Sequence, residues 1–223
     1  ECGKPDVSVV DTPNSNSVNI VMAKKANLVL GGEMPSFFSN KIQSLGGDPK
    51  LVKLVRFGAS IKIGGVAITT VPAVHANGLA GGFIPGELGK HLGEAGLTAY
   101  VGPPGGYVLS FSNGLVAYLS GDTGITAEQE TVVQKHYHAK LAVMNIGDTF
   151  TTGPTEAAYV INDLVKPNSV IVSHANEPGT EKGVVRAGTR TEKFIKASKV
   201  PVHVPLSGKT MEFDGTGKCV AGC

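Results

Sequence analysis

Residues 116–124 read Val-Ala-Tyr-Leu-Ser-Gly-Asp-Thr-Gly and form an apolar run that leads directly into a glycine-flanked polar turn. Residues 68–78 (Ile-Thr-Thr-Val-Pro-Ala-Val-His-Ala-Asn-Gly) and residues 170–176 (Val-Ile-Val-Ser-His-Ala-Asn) share this pattern. Short β-branched runs that end in turn residues are typical of buried strands. Loops at strand ends converge over a rigid sheet and often bind ligands. The three stretches therefore predict that His75, Asp122 and His174 face one cleft.

The surrounding sequence predicts an α/β fold with mixed sheets. Strand–helix alternation dominates both ends of the chain, and hairpins dominate its middle. Gly64-Gly65 and Ser112-Asn113-Gly114 each separate two apolar runs, which indicates hairpins. The glycine-rich stretch 76–105 is predicted to be a long functional or mobile loop. With no repeat or linker in the sequence, we expect a single domain over residues 1–223.

Individual elements follow from periodicity and from capping residues. Helices are expected over residues 18–25, 33–45, 127–136, 154–165 and 191–198. Strands are expected over residues 7–10, 28–30, 53–56, 60–63, 66–71, 107–111, 116–120, 141–144, 170–173, 200–204 and 210–213.

The composition excludes several classes of protein. Hydrophobic residues make up 41% of the chain and charged residues 17%, which is unlike a disordered chain. The net charge is only +2, from 20 basic and 18 acidic residues, so no nucleic-acid partner is expected. Apolar runs stay well below the roughly 20 residues that span a bilayer, so no membrane span is expected either. The sequence also contains no nucleophile elbow, phosphate-binding loop or Rossmann fingerprint.

The three cysteines, Cys2, Cys219 and Cys223, lie at the two ends of the chain. This distribution favours at least one disulfide that involves Cys219 or Cys223, and hence a secreted or periplasmic protein. Free surface thiols are the alternative. The chain opens without Met and without a signal-like apolar region, so we expect a mature or truncated product from which an upstream segment was removed.

Imidazole and carboxylate groups at matching strand ends favour a metal site built from His75, Asp122 and His174. These ligand types suit zinc, iron or manganese, and three protein ligands plus water suffice for a catalytic zinc. Their donor atoms should then lie within about 3–4 Å of each other. The alternatives are hydrogen-bonded core histidines and a turn-forming aspartate. The remaining histidines are predicted to be structural or on the surface; they are His91, His136, His138 and His203.

Several motifs of this sequence occur in the same order as in the metallo-β-lactamase superfamily. Within that superfamily, the sequence most resembles the metal-dependent hydrolases related to ascorbate-6-phosphate lactonase. The similarity runs from about Pro5 to the end of the sequence. Its motifs are Val71-Pro-Ala-Val-His75, Gly121-Asp122-Thr123-Gly124, the stretch from Asn145 to Ala158 and Ser173-His174. The resemblance implies a four-layer αββα sandwich with one or two metals at the sheet edges and a metal-bound hydroxide as nucleophile. It also implies that Asp122 holds the metal and orients the water, and that His75 and His174 are ligands.

One motif departs from this family. The family carries H-x-H-x-D-H after its first strand, and the alignment places Thr12, Asn14, Asn16 and Ser17 at the four ligand positions. Neutral oxygen donors of this kind are poor zinc ligands beside imidazole. Lactonase-like relatives commonly carry His at the position of Thr149. The family also begins with a strand-rich segment that lies upstream of residue 1, so the expected fold lacks that segment.

Two functions remain open at this point. The first is a hydrolase of lactones, esters or phosphoesters with zinc or another divalent metal, as one or two ions, and a small-molecule substrate. The second is a binding or structural protein on the same fold, a pseudoenzyme that has lost its first metal motif and its metal. The degenerate motif predicts weak or absent metal, with little hydrolysis unless metal is added. Homo-oligomerisation is left open. Supporting or substrate contacts are expected from Asp11, Asn77, Asp148, Thr149 and Asn176.

Overall fold

A computed structural model describes residues 16–223. The sequence predicts a single domain, and the structure divides the chain into two compact units. Among the described residues, the first unit comprises residues 16–56 and 76–103, and the second comprises residues 57–75 and 104–223. The strand predicted over residues 7–10 and the residues Asp11, Thr12 and Asn14 lie outside the described part of the chain.

Helices and strands alternate along both units. The α-helices are α1 (Ser17–Lys24), α2 (Pro35–Ser44), α3 (Glu87–Ala95), α4 (Pro154–Tyr159) and α5 (Arg190–Ala197). Short 3-10 helices span Pro49–Leu51 and Gly81–Phe83, and π-helical segments span Gln129–Gln134 and Val160–Val165. The strands are β1 (Leu28–Leu30), β2 (Val52–Leu54), β3 (Ser60–Ile63), β4 (Val66–Pro72), β5 (Gly78–Ala80), β6 (Thr98–Tyr100), β7 (Gly105–Ser110), β8 (Val116–Leu119), β9 (Leu141–Asn145), β10 (Ser169–Ser173), β11 (Thr180–Glu181), β12 (Val184–Val185), β13 (Val202–His203), β14 (Glu212–Phe213) and β15 (Cys219–Ala221). None of these helices is long and apolar enough to cross a membrane.

The first unit is held together by a small apolar cluster. Val18 and Val21 of α1 are buried with Ile42 of α2, and the parallel strands β1 and β2 pack against them. Helix α1 begins at Asn16, whose side-chain Oδ1 accepts a hydrogen bond from the backbone N–H of Asn19 at 2.8 Å. A side-chain oxygen at this position satisfies a donor that the first helical turn leaves unpaired.

The prediction that residues 76–105 form a long loop is wrong, because this stretch contains β5, β6, α3 and a 3-10 helix. Its glycines mark close packing rather than irregular chain. A Cβ atom on Gly89 of α3 would meet the carbonyl oxygens of Ile84 and Gly81. A Cβ on Gly81 would meet backbone atoms of Gly89 and Gly93. These close backbone approaches require glycine, and the apolar periodicity that identifies helices is weakened as a result.

A mixed seven-stranded sheet dominates the second unit, with the order β13-β10-β9-β8-β7-β4-β3. Strands β8, β9, β10 and β13 are parallel, whereas β7 is antiparallel to both β4 and β8. The carboxyl ends of β4, β8, β9, β10 and β13 therefore meet at one edge of the sheet. This architecture confirms the predicted α/β fold with mixed sheets, and the structure adds that one large sheet dominates.

The core of the second unit lies between this sheet and its helices. Tyr118, Met144, Ile161 and Phe194 are fully buried in one apolar cluster, and α4 packs against α5. The hairpins at Gly64-Gly65 and Asn113-Gly114 are confirmed by the antiparallel pairs β3–β4 and β7–β8. The helix predicted over 154–165 is present, but its second half is π-helical. Strands β11, β12 and β15 are too short to give a pattern in the sequence.

The predicted disulfide is confirmed between Cys219 and Cys223, whose Cα atoms are 6.4 Å apart. It joins the first residue of β15 to Cys223, which follows the same strand. Cys2 lies outside the described residues.

Candidate metal centre

The carboxyl edge of the seven-stranded sheet carries the predicted site residues of the second unit. His75 follows β4, Asp122 follows β8, Asp148 follows β9 and His174 follows β10. The strand-end placement predicted from the sequence is therefore confirmed for His75, Asp122 and His174, and Asp148 shares it.

Asp122 and His174 are in direct contact. The Nε2 atom of His174 lies 3.0 Å from the Oδ2 atom of Asp122, and their side chains are 20% and 36% exposed. Two ligands bound to one metal at about 2.0–2.1 Å with tetrahedral or octahedral angles have donor atoms about 2.9–3.4 Å apart. The pair fits two ligands of a single ion.

His75 does not complete a tight cluster with that pair. Across residues 16–223, no His, Cys, Asp or Glu donor joins both Asp122 and His174 within 4.8 Å. The predicted convergence of all three donor atoms to within about 3–4 Å is wrong for the side chains as they lie. The reason is strand order, because β4 and β10 lie four strand positions apart, with β8 midway between them. Neighbouring strands are about 4.7–4.9 Å apart, so roughly 19 Å separates β4 from β10. The role of His75 as a ligand stays a prediction.

The loop that carries His75 is nevertheless tied to the loop that carries Asp122. The backbone N–H of Val74 donates to the Oγ1 atom of Thr123 at 3.0 Å, and the N–H of Gly124 donates to the carbonyl of Val74 at 3.0 Å. Thr123 is completely buried. These bonds hold the residue before His75 against the residues that follow Asp122.

A buried polar network lies beneath the Asp122 loop and centres on Asn145 at the end of β9. The Nδ2 atom of Asn145 donates to the carbonyl of Thr123 at 3.0 Å and to the Oγ1 of Thr152 at 2.8 Å. Its Oδ1 lies 3.0 Å from the hydroxyl of Ser120, which directly precedes Gly121 and Asp122. Asn145, Ser120 and Thr123 are at most 1% exposed. Buried networks with every member paired give rigidity, so this network fixes the strand ends that present the site.

The loops around the pair contain an unusual share of left-handed backbone. Eight non-glycine residues in the described part of the chain have positive φ angles, and four of them follow β9 or β10. These four are Asp148, Thr149, His174 and Asn176, with φ angles of 63°, 65°, 46° and 55°. Left-handed non-glycine residues cost free energy and tend to cluster at functional sites. Three of the four residues were predicted as supporting or substrate contacts.

Gly147 allows the loops after β9 and β10 to approach each other. A Cβ atom on Gly147 would lie 2.6 Å from the Nδ2 of Asn176 and 3.0 Å from the Nδ1 of His174. A side chain at position 147 would displace the backbone carbonyl of His174 and the amide of Asn176, and it would crowd the imidazole of His174. The predicted residue Asn176 therefore lies beside the pair.

One cavity borders His174, and a second cavity shares Glu177 with it. One of about 310 Å³ is lined by His174, Glu177, Thr191 and Val204 among others. The other, of about 480 Å³, is lined mainly by charged side chains; they are Asp148, Glu156, Glu177, Arg190 and Lys193. An Nη1 atom of Arg190 lies 3.7 Å from the carboxylate of Glu177. Glu177 borders both cavities, so a polar ligand beside His174 meets groups of both charges.

The predicted positions in the first unit have structural roles of their own. Asn16 is the N-cap of α1 and is 1% exposed, and Ser17 is the first residue of that helix. The Nδ2 of Asn77 donates to the carbonyl of Gly102 at 2.9 Å, which joins the beginning and the end of the segment 76–103.

Sequence reasoning missed Asn145, Gly147 and Glu177. The signal for Asn145 was a polar residue at the end of the run Leu141–Met144, in the same strand-end context that singled out Asp122. No local pattern distinguishes Gly147 or Glu177, because their importance depends on contacts with His174 and Arg190 elsewhere in the chain.

The chain is similar in sequence to proteins named UPF0173 metal-dependent hydrolase. It is 29% identical to the one from Polynucleobacter asymbioticus over 150 residues, which cover 67% of this chain and 48% of that protein. It is 27% identical to mll0680 from Mesorhizobium japonicum over 197 residues, which cover 88% of this chain and 75% of that protein. The chain thus spans about half the length of the first of these relatives. No protein-family model matches it.

Its fold is also found among solved structures. Igni18, a novel metallo hydrolase from the hyperthermophilic archaeon Ignicoccus hospitalis, superposes with a TM-score of 0.57 and 19% identity, over 92% of this chain and 72% of that one. At this identity the similarity concerns the fold alone. The relation to ascorbate-6-phosphate lactonase and the loss of the first metal motif stay predictions. The motifs, the relatives and the mixed α/β fold together support the assignment of this chain to the metallo-β-lactamase superfamily.

Proposed function

We propose that this chain is a metal-dependent hydrolase whose centre lies at the carboxyl edge of the seven-stranded sheet. The observation that carries the proposal is the 3.0 Å contact between Asp122 and His174, each of which follows a strand of that sheet. Relatives named metal-dependent hydrolase support the same conclusion. A divalent metal held there, with zinc the preferred ion for this donor set, lowers the pKa of bound water to about 7 and supplies a nucleophile at neutral pH.

The chain's own residues position this chemistry. Asp122 and His174 would hold the ion, and His75 is the proposed third ligand. The network around Asn145 fixes the backbone before and after Asp122, and Gly147 leaves room for the imidazole of His174. The adjoining cavity is lined by charged groups that contact the polar part of the substrate; they include Asp148, Arg190 and Lys193.

The proposed substrates are lactones, esters or phosphoesters. Attack on each of them places negative charge on an oxygen, which the cations at this end of the cavity stabilise. The disulfide between Cys219 and Cys223 supports a secreted or periplasmic site of action, since such bonds persist in oxidising compartments.

A binding protein without turnover is the second candidate. The observation that favours it is the two-donor geometry across residues 16–223, because catalytic zinc sites use three protein ligands. In this case the contact between Asp122 and His174 joins the loops that follow β8 and β10.

Metal content and hydrolysis separate the two candidates. The purified chain is equilibrated with Zn²⁺, Mn²⁺ or Fe²⁺, desalted, analysed for metal and assayed on a panel of lactones, esters and phosphoesters. The hydrolase proposal expects metal-dependent turnover that falls at least tenfold in Asp122→Asn and in His174→Gln, and that is unchanged in the exposed-histidine control His136→Gln. Absence of metal and of turnover under every condition supports the binding protein.

Restoring the first motif is a complementary test. The combined replacements Thr12→His, Asn14→His, Asn16→Asp and Ser17→His should raise the metal content of the purified chain and its hydrolysis. If the unaltered chain already carries two tightly bound ions and turns over a substrate, the motif is not degenerate in function.

A further inference from the structure

We propose that His203, Cys219 and Cys223 form a second metal site, which takes zinc or a similarly thiophilic divalent cation when the Cys219–Cys223 disulfide is reduced. One donor atom from each of the three residues lies within 4.8 Å of the other two. No other His, Cys, Asp or Glu trio in residues 16–223 meets that condition. The sequence predicts a structural or surface role for His203, and its position beside two cysteines gives it a further role.

The environment of His203 suits a ligand. It lies on β13 at the edge of the seven-stranded sheet, paired with Ile171, and its ring stacks edge-on against Phe213 with centroids 5.3 Å apart. Its Nε2 atom is buried and has no hydrogen-bond partner among the described residues.

The cysteines are held against His203 by a well-anchored hairpin. Phe213 of β14 pairs with Cys219 of β15, so the ring contact between Phe213 and His203 brings this sulfur next to the imidazole. At the turn of the hairpin, the Oδ1 atom of Asp214 accepts hydrogen bonds from the backbone N–H groups of Thr216 and Lys218 at 2.8 and 3.1 Å.

The same turn is fastened to the sheet. The Nζ atom of Lys140 donates to the carbonyl of Gly215 at 3.0 Å, and the Nδ2 of Asn168 donates to the carbonyl of Thr216 at 2.6 Å. Because the turn is fixed at its tip, reduction of the disulfide frees the sulfurs without releasing the strands that carry them.

A dithiol is a suitable reductant for the disulfide between Cys219 and Cys223. The dithiol transfers two electrons and two protons, the sulfur–sulfur bond of Cys219 and Cys223 breaks, and the reductant becomes a cyclic disulfide. A zinc ion then displaces both thiol protons and binds two thiolates and one imidazole, which is a ligand set found in catalytic zinc sites with water as the fourth ligand. Exchange with a disulfide oxidant, which is reduced to two thiols, re-forms the bond between Cys219 and Cys223 and releases the ion.

Access to the sulfurs is open. Cys223 is exposed and borders a cavity of about 360 Å³ that is also lined by Val204, Leu206 and Met211. A reductant can therefore reach the disulfide, and a water molecule has room to bind as the fourth ligand.

The test uses the full chain in two forms, oxidised and reduced with a water-soluble phosphine that does not chelate metal. Each form is titrated anaerobically with Co²⁺, which reports thiolate ligands through a charge-transfer band in the near ultraviolet. Zinc content is measured in parallel after desalting. We expect the reduced form to bind one more equivalent of metal than the oxidised form, with the thiolate band present only in the reduced form.

Variants locate the extra ion. Cys219→Ser, Cys223→Ser and His203→Gln should each lose the extra equivalent, whereas Cys2→Ser and His136→Gln should retain it. Alkylation of the thiols in the reduced, unaltered chain should also abolish the extra equivalent, which avoids any folding defect of the cysteine variants. The proposal is overturned if both forms bind the same amount of metal, if the band survives in Cys219→Ser and His203→Gln, or if it disappears in Cys2→Ser.

Discussion

Replacement of Asn145 by alanine tests whether the buried network fixes the candidate site. The change removes three side-chain interactions, with the hydroxyls of Ser120 and Thr152 and with the carbonyl of Thr123. All of these groups are buried, so water does not replace the amide freely. The variant should therefore lose both stability and the geometry of the Asp122 loop.

The magnitude follows from what each partner retains. The hydroxyl of Ser120 still reaches the carbonyl of Gly121 at 2.7 Å, and the carbonyl of Thr123 keeps the backbone N–H of Thr152 at 3.0 Å. The hydroxyl of Thr152 keeps the carbonyl of residue 145 at 3.0 Å. Each partner of Asn145 therefore keeps at least one other hydrogen bond in the variant. A buried polar group left unsatisfied usually costs about 1–3 kcal/mol of stability, and each lost hydrogen bond here should cost near the lower end of that range. We expect the free energy of unfolding to fall by about 2–4 kcal/mol in total.

The measurement is chemical denaturation followed by circular dichroism, with Asn162→Ala as a matched control. Asn162 also makes two side-chain hydrogen bonds, to the carbonyl of Ala197 and from the N–H of Lys199, but both are exposed to solvent. Water replaces them, so that variant should lose less than about 1 kcal/mol. Metal affinity of Asn145→Ala should also fall by about tenfold or more, since partners that orient ligands have effects of this size.

Equal losses of stability in Asn145→Ala and Asn162→Ala would refute this reasoning, because burial would then add nothing to the cost. Unchanged metal affinity in Asn145→Ala would show that the network does not position Asp122.

Three further predictions concern stability. Asn16 caps α1, so Asn16→Ala should lower the free energy of unfolding by about 0.5–2 kcal/mol. Asn16→Asp should leave the free energy of unfolding unchanged, because aspartate also caps helices. Equal losses of stability for the two replacements in denaturation curves would contradict the capping role. In α3, a Cβ on Gly89 would meet the carbonyl of Ile84, whereas the space around Gly93 is open. Gly89→Ala should therefore destabilise by about 1–3 kcal/mol, while Gly93→Ala should raise the melting temperature; the same sign for both would contradict the packing argument. Burial raises the pKa of Tyr118 to about 12 from the ordinary 10.0. The unfolded chain then ionises first, so stability should fall as pH rises from about 10 to 12, and Tyr118→Phe should remove this component from the pH profile of the melting temperature.

The sequence by itself determined the elements whose signals are local. The strands over residues 28–30 and 60–63, the two hairpins and the strand-end placement of His75, Asp122 and His174 follow from side-chain alternation and turn residues within a few positions of each other. Local sequence also placed Cys219 and Cys223 close enough for a disulfide, since they are separated by only 4 positions along the chain.

Only the tertiary structure decided which of these residues meet. Asp122 touches His174 across one intervening strand, whereas His75 follows β4, which lies on the other side of β8 and four strand positions from β10. This arrangement depends on the strand order rather than on any local pattern. The order brings Asn145 beneath Ser120 in the same way. His203 approaches Cys219 because a hairpin folds back onto an edge strand. Contacts between distant residues depend on how strands pair and helices pack, and a single sequence read by local periodicity contains no direct record of that pairing.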